Sequence, residues 1–288
     1  MLLAIVAATA LAPLYAARIS GTDPFLSTPM AQTNGNPVLA DNLGLGVTPI
    51  GPGWRGPYLF GPYLLGADTL GRDVAARLLY GGRTSLLVAG AATILCLLLG
   101  SLAGITAGFV GGLTDTALSA LIDLLWAFPV YLLAISLSIV LVNEGLHLGP
   151  ITLEADDKLL PALILGLVYV PYVARPIRAE VRALLARDFV EAAYATGGTR
   201  SHILRRHILP SLLPTFLGLA PIIAAMMLLT EAALSILGIG IQPPEASWGT
   251  LIADGQSLIY SRPWVAIAPG LAVALTVLAL NTLADRDA

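Results

Sequence analysis

The sequence predicts an all-α integral membrane protein with about six transmembrane helices. Of its 288 residues, 57% are hydrophobic and only 11% are charged, against roughly 25% charged in an ordinary soluble domain. The mean hydropathy of +0.83 agrees, because so few charged side chains cannot cover a globule of this length. Six apolar segments come close to the roughly 20 residues that cross a hydrocarbon core of about 30 Å. The bilayer is therefore the expected solvent.

The six segments differ in how strongly they predict a span. They cover residues 1–17, 85–110, 114–142, 159–174, 212–239 and 264–283. The second and third are the clearest, because no charged residue lies between Thr84 and Thr114 or between Leu124 and Asn143. The first is short and is either a span or a cleaved signal peptide, and the absence of a positive leading region favours the span. Pro129 and Pro171 should bend the third and fourth spans.

Arginines between the fourth and fifth spans predict the orientation. Seven of them fall within residues 175–210: Arg175, Arg178, Arg182, Arg187, Arg200, Arg205 and Arg206. By the positive-inside rule this segment is cytoplasmic. Counting spans outward then places both termini in the cytoplasm, with residues 284–288 as a short tail and residues 18–84 outside. Residues 85–283 would form a five-helix core that carries the cytoplasmic loop.

The extracytoplasmic segment should be rich in turns and poor in regular structure. Glycine and proline recur at residues 44–46, 49–52 and 61–62, and these two residue types favour turns. Two roles are open for this segment, either docking of a substrate-delivery protein or a plain spacer.

Several catalytic and binding functions lack the residues they need. Lys158 is the only lysine, and it is not part of a phosphate-binding Gly-Lys-Ser/Thr motif. The three histidines have no zinc-protease spacing, and the single cysteine, Cys96, allows no disulfide. A net charge of −3 gives no basic surface for nucleic acid. We expect neither an enzyme nor a cofactor-binding chain.

The cytoplasmic loop should fold as two short helices with a turn between them. Asp188 and Glu191 have the spacing of a capping box, which predicts a helix start. That helix should end at Gly197-Gly198, because glycine tolerates the left-handed conformation of a helix end. Ser201 could cap a second helix that Pro210 ends. The outcome would be a compact helix-turn-helix outside the membrane.

The same loop resembles the signature of permease subunits of binding-protein-dependent ABC importers. That signature reads Glu-Ala-Ala, three residues, Gly, nine residues, Ile-x-Leu-Pro. The matching residues are Glu191, Ala192, Ala193, Gly197, Leu209 and Pro210. His207 replaces the isoleucine, a departure similar to the His-Ile-Leu-Pro of the peptide branch.

The resemblance implies that this loop couples the chain to a separate ATPase. In that family it seats a coupling helix in a groove of the ATPase subunit, whereas an ordinary amphipathic loop is the alternative. The coupling residues would be Asp188, Glu191, Ala192, Ala193, Gly197, Gly198, Arg200, Leu209 and Pro210. The implied partners are a homologous permease, two ATPase subunits that hold ATP and Mg²⁺, and an extracytoplasmic solute-binding protein.

Further motifs are similar to one subfamily, the dipeptide, oligopeptide and nickel permeases, in particular the C-type subunit. Residues 66–74 and 77–83 resemble the segment before its second span, and residues 231–240 resemble its fifth span. The implied fold is that of a type I ABC importer permease in the bacterial inner membrane. The implied cargo is di- or oligopeptides, with nickel chelates and glutathione as alternatives. Two alternatives belong to other functional classes. One is an ion-gradient-driven secondary transporter, and the other is a membrane scaffold that transports nothing.

A few residues within the spans are candidates for the translocation path or for helix packing. Gly100, Gly104, Gly108 and Gly112 recur every four residues and predict a stripe for close packing of a neighbouring helix. Asp123 and Glu231 are ionisable at membrane depth, so each should face the path or pair locally. Asp115 is expected at the surface.

Overall fold

The protein is described here from a computed structural model. It describes residues 1–33, 36–41, 47–52, 62–148, 151–154 and 157–287. The turn predictions at residues 44–46 and 61 lie outside these ranges. Long apolar helices dominate the described residues, as the composition predicts.

Three helices are long and apolar enough to cross a membrane without a break. They are α3 (Val74–Val110), α11 (Leu213–Ile236) and α13 (Trp264–Asp287). Helix α3 begins well before the predicted span start at Ser85. Arg77 and Arg83 interrupt the apolar run that set the predicted span, but the helix continues through them because arginine is a good helix former.

Three further spans consist of bent helix pairs. Helix α1 (Leu2–Ala10) precedes α2 (Ala12–Tyr15), which a π-helical turn (Ala16–Ser20) extends, with a bend of 50°. Helices α4 (Gly112–Trp126) and α5 (Val130–Glu144) meet at 85°, and α6 (Leu159–Val168) and α7 (Val170–Leu185) at 43°. Counting each pair as one gives up to six spans in the described part of the chain.

The bends predicted at Pro129 and Pro171 are confirmed. Pro129 lies in the break before α5, and Pro171 lies in the first turn of α7. Proline has no N–H to donate and its ring crowds the preceding turn, so a helix that reaches it bends or restarts.

One compact unit combines Met1–Val88, Val142–Lys158 and Leu228–Ala279. Its regular structure outside the long helices consists of short antiparallel hairpins and α12 (Trp248–Gln256). The hairpins pair β1 (Gln32–Thr33) with β2 (Asn36–Pro37), β3 (Leu39–Asp41) with β4 (Val47–Pro49), and β5 (Leu146–Leu148) with β6 (Ile151–Leu153). Val38, Tyr63 and Ala67 form a small buried core beneath the first hairpins.

The second unit combines Ala89–Leu141, Leu159–Met227 and Leu280–Ala288. Within it, α3 packs closely on α7 through its glycines. A Cβ on Gly100 would lie 2.6 Å from Cβ of Val173, and one on Gly104 would lie 2.6 Å from the carbonyl oxygen of Ala174. On Gly108 it would lie 3.0 Å from the carbonyl oxygen of Arg178. The packing interpretation is confirmed for these three glycines.

Gly112 does not continue the glycine stripe. Helix α3 ends at Val110, and Gly111 and Gly112 have φ angles of +71° and +57°. No heavy atom lies within 4 Å of a Cβ built on Gly112. The four-residue spacing wrongly extended the stripe across a turn, where glycine serves the backbone conformation instead.

Candidate functional site

The segment after α7 forms a small helical module. It comprises α8 (Asp188–Ala195), α9 (Arg200–Ile203), a π-helical turn (Leu204–Ile208) and α10 (Leu209–Ser211). Val190, Ile203 and Ile208 are fully buried on its inner side. Phe189, Tyr194 and Leu209 are exposed. The module therefore has a core that fixes its shape and a surface on which these apolar side chains lie among exposed charged ones.

The capping box predicted at the start of α8 is wrong. Arg187 is the N-cap residue, in an extended conformation, and no side chain caps the helix. Asp188 is already the first helical residue, so its carboxylate cannot accept the N–H groups that an N-cap side chain reaches. Asp188 and Glu191 are both exposed in the first turn, where negative charge favours the helix dipole.

The predicted helix end at Gly197-Gly198 is confirmed. Gly197 has a φ of +85° and donates its N–H to the carbonyl of Tyr194 at 2.9 Å. Gly198 donates its N–H to the carbonyl of Ala193, also at 2.9 Å. These two bonds form a Schellman motif. A Cβ on Gly198 would lie 2.6 Å from the Ala193 oxygen, so both positions require glycine.

The second helix differs from the prediction at both ends. Its N-cap is Thr199, whose hydroxyl accepts the N–H of His202, whereas Ser201 lies inside the helix. Pro210 does not end the helical path. It lies in the first turn of α10, where its missing N–H costs nothing, and the chain continues almost directly into α11.

A cavity of about 550 Å³ opens on the outer side of the module. Its walls come from one side of α8, the glycine turn and the histidines of the following helical segment: Phe189, Ala192, Ala193, Thr196, Gly197, Gly198, Thr199, His202 and His207. The ring centroids of His202 and His207 are 6.0 Å apart. The methyl side chains of Ala192 and Ala193 leave the groove open to another chain.

The groove gathers only part of the predicted coupling set. Ala192, Ala193, Gly197 and Gly198 line it. Asp188, Glu191, Arg200, Leu209 and Pro210 belong to the module and are exposed, but they do not line the groove. Sequence reasoning did not assign Phe189 and His202 to the site. The available signal for Phe189 was its position four residues before Ala193 on the same helix face, whereas His202 lies on the next helix and had no such signal.

Three of the arginines assigned to the loop lie on α7 instead. Arg178 donates from Nε to Asp115 Oδ1 at 2.5 Å and from Nη2 to Oδ2 at 2.9 Å. Arg182 also donates to Asp115. Asp115 is only 7% exposed, so the prediction of a surface position is wrong. The carboxylate can be buried because two guanidinium groups share it.

The Asp123–Arg175 pair is more open. Nη2 of Arg175 lies 2.5 Å from Oδ1 of Asp123. The same guanidinium lies 4.4 Å from the centroid of Trp126, whose ring is 4.5 Å from that of Tyr172. The side chains of Asp123 and Arg175 are 61% and 43% exposed.

Glu231 is fully buried and pairs locally, one of the two roles open for it. It accepts hydrogen bonds from the hydroxyls of Ser85 at 2.9 Å and Ser235 at 2.8 Å. The Ser85 oxygen in turn accepts the backbone N–H of Trp248 at 3.1 Å. The carboxylate thus links α3, α11 and the start of α12.

A second buried charge cluster was missed by sequence reasoning. Asp68 accepts from Nε of Arg72 at 2.7 Å, and Asp254 accepts from Arg72 at 2.9 Å and from Arg77 at 3.2 Å. Arg72 and Arg77 are both buried. The available signal was the run of alternating charges at residues 68–77, but its partner Asp254 is remote in sequence.

Comparison with known proteins gives a family match. The family described as "Binding-protein-dependent transport system inner membrane component" matches residues 100–286. A peptide transport system permease protein of Brucella suis biovar 1 is 36% identical over 209 residues, which are 73% of this chain and 66% of that relative. The dipeptide transport system permease protein DppC of Alkalihalophilus pseudofirmus is 36% identical over 218 residues, 75% of this chain and 67% of that protein. The aligned part therefore spans about two thirds of these relatives.

A solved structure supports the fold. A chain of the MetNI methionine ABC transporter, in an inward-facing conformation, superposes with a TM-score of 0.55 at 19% identity. The superposition covers 73% of this chain and 93% of that one. The helices, the bent spans and the module between α7 and α11 agree with the family match, and the chain belongs to the binding-protein-dependent transport system inner membrane components.

Proposed function

We propose that this chain is the permease subunit of an ABC importer that carries di- or oligopeptides across the bacterial inner membrane. The peptide cargo is supported by the names of the relatives, which are peptide and dipeptide transport permeases. The resemblance of residues 66–83 and 231–240 to the C-type subunit points to a second, homologous permease as its partner. An extracytoplasmic solute-binding protein delivers the substrate.

The observation that carries the proposal is the module formed by residues 188–211. It presents a groove of about 550 Å³ and exposed apolar side chains next to a helix that belongs to a membrane span. An exposed apolar patch with a polar rim is typical of a protein-docking site. The occupant we propose is the ATPase subunit, which supplies ATP, Mg²⁺ and the hydrolysis. Two such subunits serve the permease pair, and this chain contributes no catalytic group.

Orientation follows from the same docking. If the ATPase binds residues 188–211 in the cytoplasm, both termini are cytoplasmic and the hairpin-containing segment before α3 is extracytoplasmic. The exposed Arg200, Arg205 and Arg206 agree with the positive-inside rule.

Co-purification tests the docking. The tagged chain should be solubilised from its native membrane, with wild type compared with Glu191→Lys, which reverses an exposed charge on α8. We expect an ATPase and a second permease to co-purify with wild type, and the ATPase to be reduced severalfold by the variant. Glu245→Gln serves as the control, because Glu245 lies outside the module and pairs with Lys158 at 2.8 Å. A wild-type chain that purifies alone and moves solute on an ion gradient would overturn the proposal in favour of a secondary transporter.

Transport tests the coupling. Gly197→Asp should impair ATP-driven uptake while membrane insertion stays intact, because the turn requires a φ of +85° that non-glycine residues disfavour. Aspartate tolerates this conformation better than most residues, so Gly197→Val should impair uptake more strongly. Normal uptake in the valine variant would contradict the coupling role. Uptake of a nickel chelate or of glutathione but of no other peptide would keep the machinery and change the cargo.

A further inference from the structure

A second cavity lies where two of the bent spans break. It has a volume of about 310 Å³, which is at the low end for small-molecule sites. One wall is the break between α4 and α5, with Trp126, Phe128 and Pro129. The other is the start of α7, with Pro171 and Tyr172. All of these residues belong to the same compact unit.

The walls combine aromatic rings with the backbone groups at two helix ends. Trp126 and Tyr172 stack with their ring centroids 4.5 Å apart. A helix end leaves up to four carbonyl or N–H groups without a partner in the helix, and the break puts the end of α4 and the start of α5 at this wall. The cavity therefore offers both apolar surface and hydrogen-bonding groups.

A charge pair lies beside the lining residue Trp126. Asp123 lies one turn before Trp126 on α4, and Arg175 lies one turn after Tyr172 on α7 and stacks on the Trp126 ring. The contrast with Asp115 is informative. Asp115 is enclosed by two arginines, whereas Asp123 has one partner and stays 61% exposed. Charged side chains in lipid cost several kcal/mol, so this pair faces water, a polar ligand or the partner permease rather than lipid.

We propose that this cavity, with Asp123 and Arg175 at its edge, is a contact site for a zwitterionic peptide during its passage. The inference rests on the proposed function and deepens it. Arg175 binds the terminal carboxylate, Asp123 binds the terminal ammonium, and the rings of Trp126, Phe128 and Tyr172 cover the chain between them. The volume suits a short peptide whose two ends lie close together. Opposite charges already paired at 2.5 Å can exchange partners with a ligand that carries the same two charges.

Transport kinetics test the charges. The wild-type complex, co-purified with its partners, is reconstituted in vesicles and supplied with radiolabelled alanine homopeptides of two to five residues. Asp123→Asn and Arg175→Gln should each raise the KM about tenfold, the usual effect of losing one charged hydrogen bond. The maximal rate and the ATPase rate should change little. The control is Glu245→Gln, which weakens a partly exposed ion pair, 38% for Lys158 and 31% for Glu245, away from the cavity.

Blocked peptides separate a substrate contact from a structural role. N-acetylated peptides lack the ammonium, so Asp123→Asn should abolish the preference for the free peptide over the acetylated one. Arg175→Gln should do the same for the free carboxylate over its amide. A purely structural pair would lower the amount of active complex and leave both preferences as in wild type, which would overturn the proposal.

Thiol labelling tests the cavity directly. In a Cys96→Ala background, Phe128→Cys should react with a charged methanethiosulfonate and be protected by alanine homopeptides. Leu98→Cys is the control, because Leu98 is exposed on the apolar face of α3 and should stay unlabelled. No labelling at Phe128→Cys, or labelling without protection, would overturn the proposal.

The two proposals fail differently. If the wild-type complex takes up none of the homopeptides with ATP, the peptide importer function fails and the substrate site fails with it. If wild type takes them up while the variants match Glu245→Gln, only the substrate site fails.

Discussion

Asp115 and Asp123 lie about two turns apart on α4, yet their carboxylates differ in burial and in the number of arginines that pair with them. Asp115 is nearly buried and shared by Arg178 and Arg182, so its removal leaves two cations without their acceptor. Asp123 is open to its surroundings and has a single ion pair. Exposed pairs contribute about 0–1 kcal/mol to stability, whereas breaking an enclosed one costs roughly 3 kcal/mol or more.

The two carboxylates should therefore separate in a stability assay. We expect Asp115→Ala to lower the free energy of unfolding by about 2–3 kcal/mol, since Arg182 is half exposed and can be solvated again. Asp123→Ala should lower it by less than about 1 kcal/mol. Thermal unfolding of the detergent-purified chain, followed by tryptophan fluorescence, measures both. Equal effects would contradict the difference in burial.

The buried carboxylate of Glu231 should also stabilise the fold. Glu231→Ala removes the acceptor of the Ser85 and Ser235 hydroxyls and leaves a cavity, so it should lower the free energy of unfolding by about 2–4 kcal/mol. Glu231→Gln keeps the volume and one acceptor oxygen and should cost less. The same unfolding assay compares them, with Asp188→Asn on exposed α8 as the control. A glutamine variant as unstable as the alanine variant would argue that the charge, not the shape, is needed.

The glycines of α3 allow it to pack closely on α7, and this packing can be tested by substitution. A Cβ on Gly104 would meet the Ala174 carbonyl at 2.6 Å, so Gly104→Ala must push α3 away from α7. Such overpacking costs about 1–3 kcal/mol. Gly90→Ala is the matched control on the same helix, because nothing lies within 4 Å of a Cβ there. Alanine at that position should be neutral or stabilising by about 0.5–1 kcal/mol. A destabilised Gly90→Ala would show that the space around α3 is not as described.

The helices show which features of the fold could be predicted from the sequence. Apolar length predicted the spans, and prolines predicted two of their bends, because both effects are local. The glycine stripe was extended past the end of α3 and the N-cap of α8 was placed at Asp188 instead of Arg187, because both details depend on which turn the chain makes, as at Gly111 and Arg187. Residue type alone left that choice open.

The candidate sites likewise divide into features set by local sequence and features set by contacts between residues distant in the chain. The glycine end of α8 is a local signal and was predictable. The groove could be recognised only once the structure placed Phe189 and His202 beside the glycine turn. The cluster around Arg72 could be recognised only once the structure brought Asp254 to it. Asp115 looked like a surface residue since its two arginines lie more than 60 positions away in the chain. Long-range pairing of charges leaves no periodic trace in one sequence.

At the scale of the whole molecule, protease access tests the orientation. Arg205 and Arg206 are exposed in the module. Trypsin should cleave there in inside-out vesicles and leave that site intact in right-side-out vesicles, as read from fragment sizes with a C-terminal tag. Arg205→Gln combined with Arg206→Gln is the control that should remove the cut at this site and leave any cut at the exposed Arg187 and Arg200. Cleavage from the outer side would reverse the proposed topology.

Helix α7 joins the two cavities as one continuous rod, although Pro176 lies inside it. Its 16 residues run without a break from the wall that holds Tyr172 to the residues that lead into α8. At about 1.5 Å per residue the rod is about 24 Å long. Tilting it by about 5° about the end that holds Tyr172 would shift the other end by about 2 Å, by the same geometry. If the ATPase docks at the groove as proposed, a push there would change the width of the aromatic cavity through α7, which Asp115 holds near its midpoint.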